Sequence, residues 1–251
     1  MGGVRIDMAK PKSFGLALQA HALTISKDAT RPVLQSVYLE TCADGFTMTS
    51  TDSHVLLHTF TPCQYTNRDG QPEPAPRESV AFRFWASHNK PREALRDLGK
   101  ALADELAVRL GFPLTDERDV SGNDMEVLSG VTLQPLALPL STNVGDDFPK
   151  YRQLFAARDA DGEPNRGVVL SSDLLTRLGK FSALAKKAGG GTFVGEPNAR
   201  EGGPVRFHFP IGEGERWHGL AMPMKFDYSA SAHFQILPAV APPASEVLAD
   251  A

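Results

Sequence analysis

Only two cysteines, Cys42 and Cys63, occur among the 251 residues. They form no C-x-x-C pair, and no Cys/His cluster has zinc spacing, so neither a structural metal nor a disulfide framework is expected. So few cysteines point to a reducing, cytoplasmic compartment rather than to a stapled secreted fold. No run of about twenty apolar residues is present, which argues against a membrane-spanning helix. Residues 1–12 lack the apolar stretch of a signal peptide. An excess of basic charge is missing too: 26 Lys and Arg stand against 30 Asp and Glu, a formal net charge of −4. That argues against a protein that coats nucleic acid over its whole surface, but basic residues gathered on one face escape such a count. There is no P-loop, no G-x-G-x-x-G and no G-x-S-x-G. Gly189, Gly190 and Gly191 lead into Thr192 and Phe193 without the lysine a P-loop needs, so they read as a helix stop. Asp52, Ser53 and His54 are adjacent. Neighbours on a strand point to opposite faces, so they cannot converge as a catalytic triad. No catalytic residue and no cofactor is expected.

What is present is an ordinary globular composition, 41% hydrophobic and 22% charged, sufficient for a sizeable core. Polar or Pro/Gly-rich stretches at 64–79, 114–124, 158–166 and 189–204 punctuate the chain, and an Ala/Pro-rich tail begins near 238. Between these breaks one pattern recurs: a strand, an amphipathic helix, then two or three strands. The first copy has a strand at 4–8 and a helix opening at Pro11, with Phe14, Leu18, Ala22 and Ile25 as its apolar stripe. Strands are predicted at 33–40, 46–50 and 55–60 by their alternation. The second has a strand at 80–85, a helix at 91–102 with Leu95, Leu98 and Leu102 inward, and strands at 106–112, 125–128 and 131–140. The third has a strand at 167–171 and a helix capped by Ser172 or Asp173. Leu174, Leu178, Phe181 and Ala185 form its stripe, and strands follow at 205–209 and 217–226. The fold class is thus α+β, with three β-α-β-β modules at 3–63, 78–142 and 166–226.

Two of these helices carry basic residues away from their apolar stripes. Arg92, Arg96 and Lys100 fall at i, i+4 and i+8 on the second helix, while Arg177, Lys180 and Lys187 share a face of the third. Lys12 lies at the start of the first. Helices of this kind suit a channel around a polyanion, touching phosphates without reading bases. No aromatic residues interleave with these charges, so stacking on single strands is not indicated.

Three short segments carry a family resemblance. Thr51, Asp52, His54 and Leu56 resemble the T-D-x-H-x-L stretch of bacterial sliding clamps, the beta subunit of DNA polymerase III. Phe148, Pro149, Tyr151 and Arg152 are similar to the family's F-P-x-Y-R segment. Met222, Pro223, Met224, Lys225 and Phe226 are similar to its closing M-P-M-R-L. The resemblance implies the DNA-clamp fold, with helices lining a channel and antiparallel sheets outside. It divides the chain into a complete clamp-type domain at 1–145, a shortened second at 146–226 and an extension at 227–251. It implies a homo-oligomeric ring of undetermined stoichiometry that encircles double-stranded DNA as a processivity factor in replication. Lys12, Arg92, Arg96, Lys100, Arg177 and Lys180 would face that DNA. It also implies a hydrophobic cleft for the peptides of a replicative polymerase and a clamp loader. His54 and Leu56 would form one wall, Pro149 and Leu154 the hinge side, and Leu220, Met222, Pro223, Met224 and Phe226 the other wall. Methionines are adaptable, so one such cleft can accept several partners. Gln153 stands where the family commonly has a basic residue. The alternative expectation is a clamp-fold interaction module that binds such peptides without encircling DNA.

Overall fold

The computed structural model describes residues 3–8, 11–67, 69–75, 80–83, 91–103, 108–113, 124–129, 135–139, 148–156, 170–191, 193–196, 203–212 and 214–223. Its first part runs β1 (Gly3–Met8), α1 (Pro11–Thr24), β2 (Ser36–Cys42), β3 (Gly45–Thr51), β4 (Val55–Pro62) and β5 (Gln64–Thr66). Next come β6 (Val80–Arg83), α2 (Pro91–Ala103), β7 (Val108–Pro113), β8 (Asp124–Ser129) and β9 (Pro135–Pro139). The last part is α3 (Arg152–Ala156), α4 (Ser172–Lys187), β10 (Val194–Glu196), β11 (Val205–Pro210) and β12 (Arg216–Ala221). No described helix is long and apolar enough to cross a membrane.

Two antiparallel sheets result, ordered β5-β1-β7-β8-β9 and β10-β11-β12-β4-β3-β2-β6. The first two modules interlock. β1 leaves its own module to pair with β7, and β6 reciprocates by pairing with β2. A repeated β-α-β-β unit thereby becomes one body with an internal exchange of first strands. The longer sheet then runs on into the last part of the chain through β4 and β12, where Leu56 lies opposite Leu220.

Strand alternation sorts this sheet into two faces. Val37, Leu39, Phe46, Met48, Val55, Leu57, Phe207 and Trp217 point into the main core with the helices. Leu95, Leu98 and Leu102 of α2 join it, as do Leu174, Leu178, Phe181 and Ala185 of α4. α1 packs against both of these helices. Its expected stripe of Phe14, Leu18, Ala22 and Ile25 is buried, but Leu16, Ala17, Ala20, His21 and Thr24 are buried as well. A helix flanked by two others above a sheet has only a narrow outer strip left. The α1–α2 crossing is backbone against backbone at two glycines. A Cβ on Gly15 would lie 2.5 Å from the Gly99 carbonyl oxygen, and one on Gly99 would lie 2.5 Å from that of Gly15.

Several boundaries differ from the sequence reading. Residues 33–40 are not one strand: Pro32–Gln35 is a single 3-10 turn with proline at its start, and β2 begins at Ser36. α4 is capped by Ser171, whose hydroxyl accepts from the Leu174 amide at 3.2 Å, and not by Ser172 or Asp173. Gly189, at φ 87°, ends this helix as expected. The strand expected at 217–226 stops at Ala221, and Met222 and Pro223 are outside it. β5 occupies part of a stretch read as loop, and α3 and β10 carried no periodic signal because each is at most five residues long. Of the strand expected at 167–171, residues 167–169 lie outside the described residues, and Leu170 and Ser171 are not in a strand.

Candidate functional site

The outer face of the long sheet, opposite α1, α2 and α4, holds a second, smaller apolar cluster. Leu56 and Leu220 form its floor, with Phe148 and Tyr151 buried above them and Val33, Tyr38 and Phe155 packed at the edges. Residues 148–156 thus cross the β4–β12 junction as a strap. Phe148 stacks on Tyr38 with ring centroids 5.1 Å apart. The Tyr151 and Phe155 rings lie 5.5 and 5.9 Å from the His58 ring. At its polar edge the strap is tied to Glu40 of β2: the Tyr151 hydroxyl donates to one carboxylate oxygen, and Arg152 donates to the other at 2.8 Å. Burial, with the hydrogen bond to Glu40 second, pushes the Tyr151 hydroxyl up to about 12, so it stays a donor at neutral pH.

Beside this floor is an open lip. Met222 donates its amide to the His54 carbonyl at 2.8 Å, which brings the closing segment against the β3–β4 turn. The Met222 side chain is 44% exposed and Leu154, on the strap, 50% exposed, both large apolar groups facing water. His54 is exposed, and Pro149 and Pro223 are half-buried. The three sequence segments therefore meet at the β4–β12 junction, with a buried apolar floor and with Met222 and Leu154 exposed on the segments that flank it. Met224 and Phe226 lie outside the described residues. Reading the sequence did not find Tyr38, His58, Phe155 or Glu40 as parts of this site. They come from strands and a short helix without motif signal: strand register places Glu40, Tyr38 and His58, and α3 brings Phe155 to them.

A cross-strand row runs along the same face. His58, His218 and His208 sit opposite one another on β4, β12 and β11. Burial first, then the neighbouring His218 and Arg152, pushes the His58 imidazole down to about 4. His218 is lowered for like reasons, burial first and then His208 and Arg216. On the inner face, His21 is fully buried between the Ser50 hydroxyl at 2.7 Å and the Thr59 hydroxyl at 3.0 Å. Burial chiefly, with His58 second, pushes it down to about 3. These hydroxyls satisfy a neutral ring at both nitrogens.

The residues expected to face DNA fall into two groups. Lys12, Arg96, Lys100 and Lys180 are exposed on the helices. Arg96 and Lys100 share Asp97, at 3.3 and 3.4 Å. Arg92 and Arg177 instead meet across Asp52, whose side chain is 8% exposed. Arg177 also pairs with Asp173 at 2.8 Å, and Arg92 donates to the Ile25 carbonyl at 2.7 Å through Nε. Burial and the adjacent Arg177 lower the Arg92 pKa, with Asp52 opposing them. Burial pulls Arg177 down as well, but Asp52 and Asp173 outweigh it and raise it. The contrast fits the geometry, since the Arg92–Asp52 approach is long, at 3.7 Å, whereas Arg177 hydrogen-bonds the carboxylate.

An α+β body of interlocked β-α-β-β units, with helices on one side and an antiparallel sheet on the other, is the DNA-clamp fold. Solved structures with this fold include a putative DNA polymerase III beta subunit from Eubacterium rectale, at 12% identity and TM-score 0.56 over 91% of this chain and 66% of that one. A sliding clamp from Caulobacter crescentus matches at 10% identity and TM-score 0.56, over 90% and 67% of the two chains. A sliding clamp from Bartonella birtlesii, bound to griselimycin, matches at 14% identity and TM-score 0.53, again over 90% and 67%. The chain therefore spans about two thirds of the length of the clamps it resembles. No protein-family model and no curated protein matches it.

Proposed function

We propose that this protein is a compact sliding clamp, a non-enzymatic processivity factor that recruits replication proteins through the cleft at the β4–β12 junction. The observation that carries this reading is the convergence of three separated segments on one lip. Leu56 and Leu220 form an apolar floor beneath Phe148 and Tyr151, Met222 is hydrogen-bonded to His54, and Leu154 is exposed on the strap that crosses the floor. Unburied Leu and Met next to a buried floor are the anchor points a short apolar peptide needs. The resemblance to bacterial sliding clamps implies a short peptide with a glutamine, an aliphatic residue and often an aromatic one as the ligand. A fluorescent peptide of that composition is expected to bind saturably, and Met222→Ala with Leu154→Ala to weaken it at least tenfold. An unaffected affinity in that double variant would remove the cleft from the proposal.

Encirclement of double-stranded DNA by a homo-oligomer, in the cytoplasm, is the second half of the reading. The exposed Lys12, Arg96, Lys100 and Lys180 on the helix side support it. The alternative, a clamp-fold module that binds the same peptides without a ring, is favoured by one observation. Arg92 and Arg177 are already engaged by Asp52, which leaves less free positive charge for phosphate. Native mass separates the two: a ring requires a closed oligomer, and a strict monomer at micromolar concentration, with and without duplex DNA, favours the module.

A further inference from the structure

The β3–β4 turn links the helix side of the sheet to the lip of the cleft, and a single carboxylate occupies it. One oxygen of Asp52, Oδ1, accepts from the His54 amide and the Val55 amide, both at 3.0 Å. The other, Oδ2, receives Arg177 of α4 and approaches Arg92 of α2 at 3.7 Å. Arg92 in turn reaches the last residue of the α1 region through the Ile25 carbonyl. The turn itself is tight and costly. Ser53 has φ 79°, a left-handed conformation that a non-glycine residue adopts only when its surroundings hold it there. What holds it is visible: the Thr51 hydroxyl accepts from the Ser53 amide at 3.1 Å, and Asp52 Oδ1 takes the next two amides. The peptide group fixed in this way ends in the His54 carbonyl, the acceptor for the Met222 amide.

We infer that Asp52 is a positioning residue for the cleft, anchoring the His54–Met222 lip to the arginines of α2 and α4. It reaches the ligand only through others, since its side chain is almost wholly enclosed. The consequence is that the lip's position depends on ion pairs on the opposite side of the sheet. An aspartate is the side chain suited to this: it is short enough to cap its own turn, and only a carboxylate offers a second, charged oxygen to two guanidiniums. The inference about the lip stands on the geometry alone; its consequence for peptide affinity rests on the proposed cleft.

Two substitutions separate the two oxygens. Asp52→Asn keeps a carbonyl oxygen for the two turn amides and loses the charge, whereas Asp52→Ala loses both. In the full chain, hydrogen exchange at the Met222 amide is expected to quicken about tenfold or more in Asp52→Ala, because its acceptor is no longer fixed, and by less in Asp52→Asn. Peptide affinity is expected to follow the same order, falling about tenfold in the alanine variant and about threefold in the asparagine variant. A purely structural residue would lower the melting temperature and leave both readouts unchanged in the folded protein. Met222 exchange within twofold of wild type in folded Asp52→Ala overturns the inference. If that variant does not fold, Arg177→Gln, which leaves the turn's own hydrogen bonds in place, is measured instead, and again an unchanged Met222 amide overturns it. Wild-type protein that fails to bind peptide sinks the proposed cleft, while Met222 exchange still decides the role of Asp52.

Discussion

The junction between β4 and β12 has two sides, and they are held by different forces. On the helix side Asp52, Asp173, Arg92 and Arg177 interlock α2, α4 and the β3–β4 turn. On the outer side Leu56, Leu220, Phe148 and Tyr151 bury apolar area beneath a strap tied at Glu40. Ion pairs are directional, so they set the angle of the turn. Apolar burial is not directional, and it leaves room for more of the same kind of contact. At the turn itself the helix side is closed by ion pairs, whereas the outer side of the junction ends in exposed Met222 and Leu154. A surface that binds a peptide is expected on the side whose cohesion is unfinished and adaptable.

The largest disturbance available strikes both sides at once. A Cβ on Gly219 of β12 would lie 2.0 Å from the Phe207 ring and 2.5 Å from the Leu56 carbonyl oxygen. Gly219→Val is expected to cost about 3 kcal/mol or more in urea denaturation, since neither a packed ring nor a strand backbone yields cheaply. On the outer side alone, Leu56→Ala is expected to cost about 2–3 kcal/mol and to abolish peptide binding. On the helix side alone, Arg177→Gln is expected to cost about 1–2 kcal/mol, a value reduced because the guanidinium is partly exposed to solvent. Smallest of all, Leu154→Ser is expected to change stability by less than about 0.5 kcal/mol while weakening the peptide, because that side chain faces water. Equal costs for Leu56→Ala and Leu154→Ser would erase the distinction between buried floor and open lip.

Acid sharpens the same contrast. His21 and His58 titrate at about 3 and about 4 in the folded protein, below the ordinary value of 6.5. The unfolded chain therefore takes up protons first as the pH falls. Their contribution to stability is full above about pH 6.5 and is lost progressively as the pH drops toward the folded values. Melting temperature is expected to fall between pH 6.5 and 4, and His21→Gln to flatten that fall. An unchanged pH slope in the variant would show that His21 does not carry it.

The sequence made the helices and the order of the modules legible because their apolar stripes are long. Leu174, Leu178, Phe181 and Ala185 are buried as their spacing predicts. It also made legible the segments that meet at the β4–β12 junction, through Leu56, Met222 and the Phe148–Tyr151 stretch, but not their partners. Glu40, His58 and Phe155 join the site by strand register and by a five-residue helix, and neither leaves a periodic trace. Gly15 and Gly99 look like weak points in two helices until the α1–α2 crossing shows that each makes room for the other. The basic stripes were legible as spacing alone. Pairing with Asp52 withdraws Arg92 and Arg177 from the set of free charges, and no spacing rule shows a partner that is forty or more residues away.

The most direct test of the cleft is a titration of the full chain with a fluorescent peptide bearing glutamine, an aliphatic residue and an aromatic one. The account predicts saturable binding by the wild type, lost at least tenfold in Met222→Ala with Leu154→Ala at an unchanged melting temperature. Absence of binding by the wild type, or equal binding by that folded double variant, would contradict it.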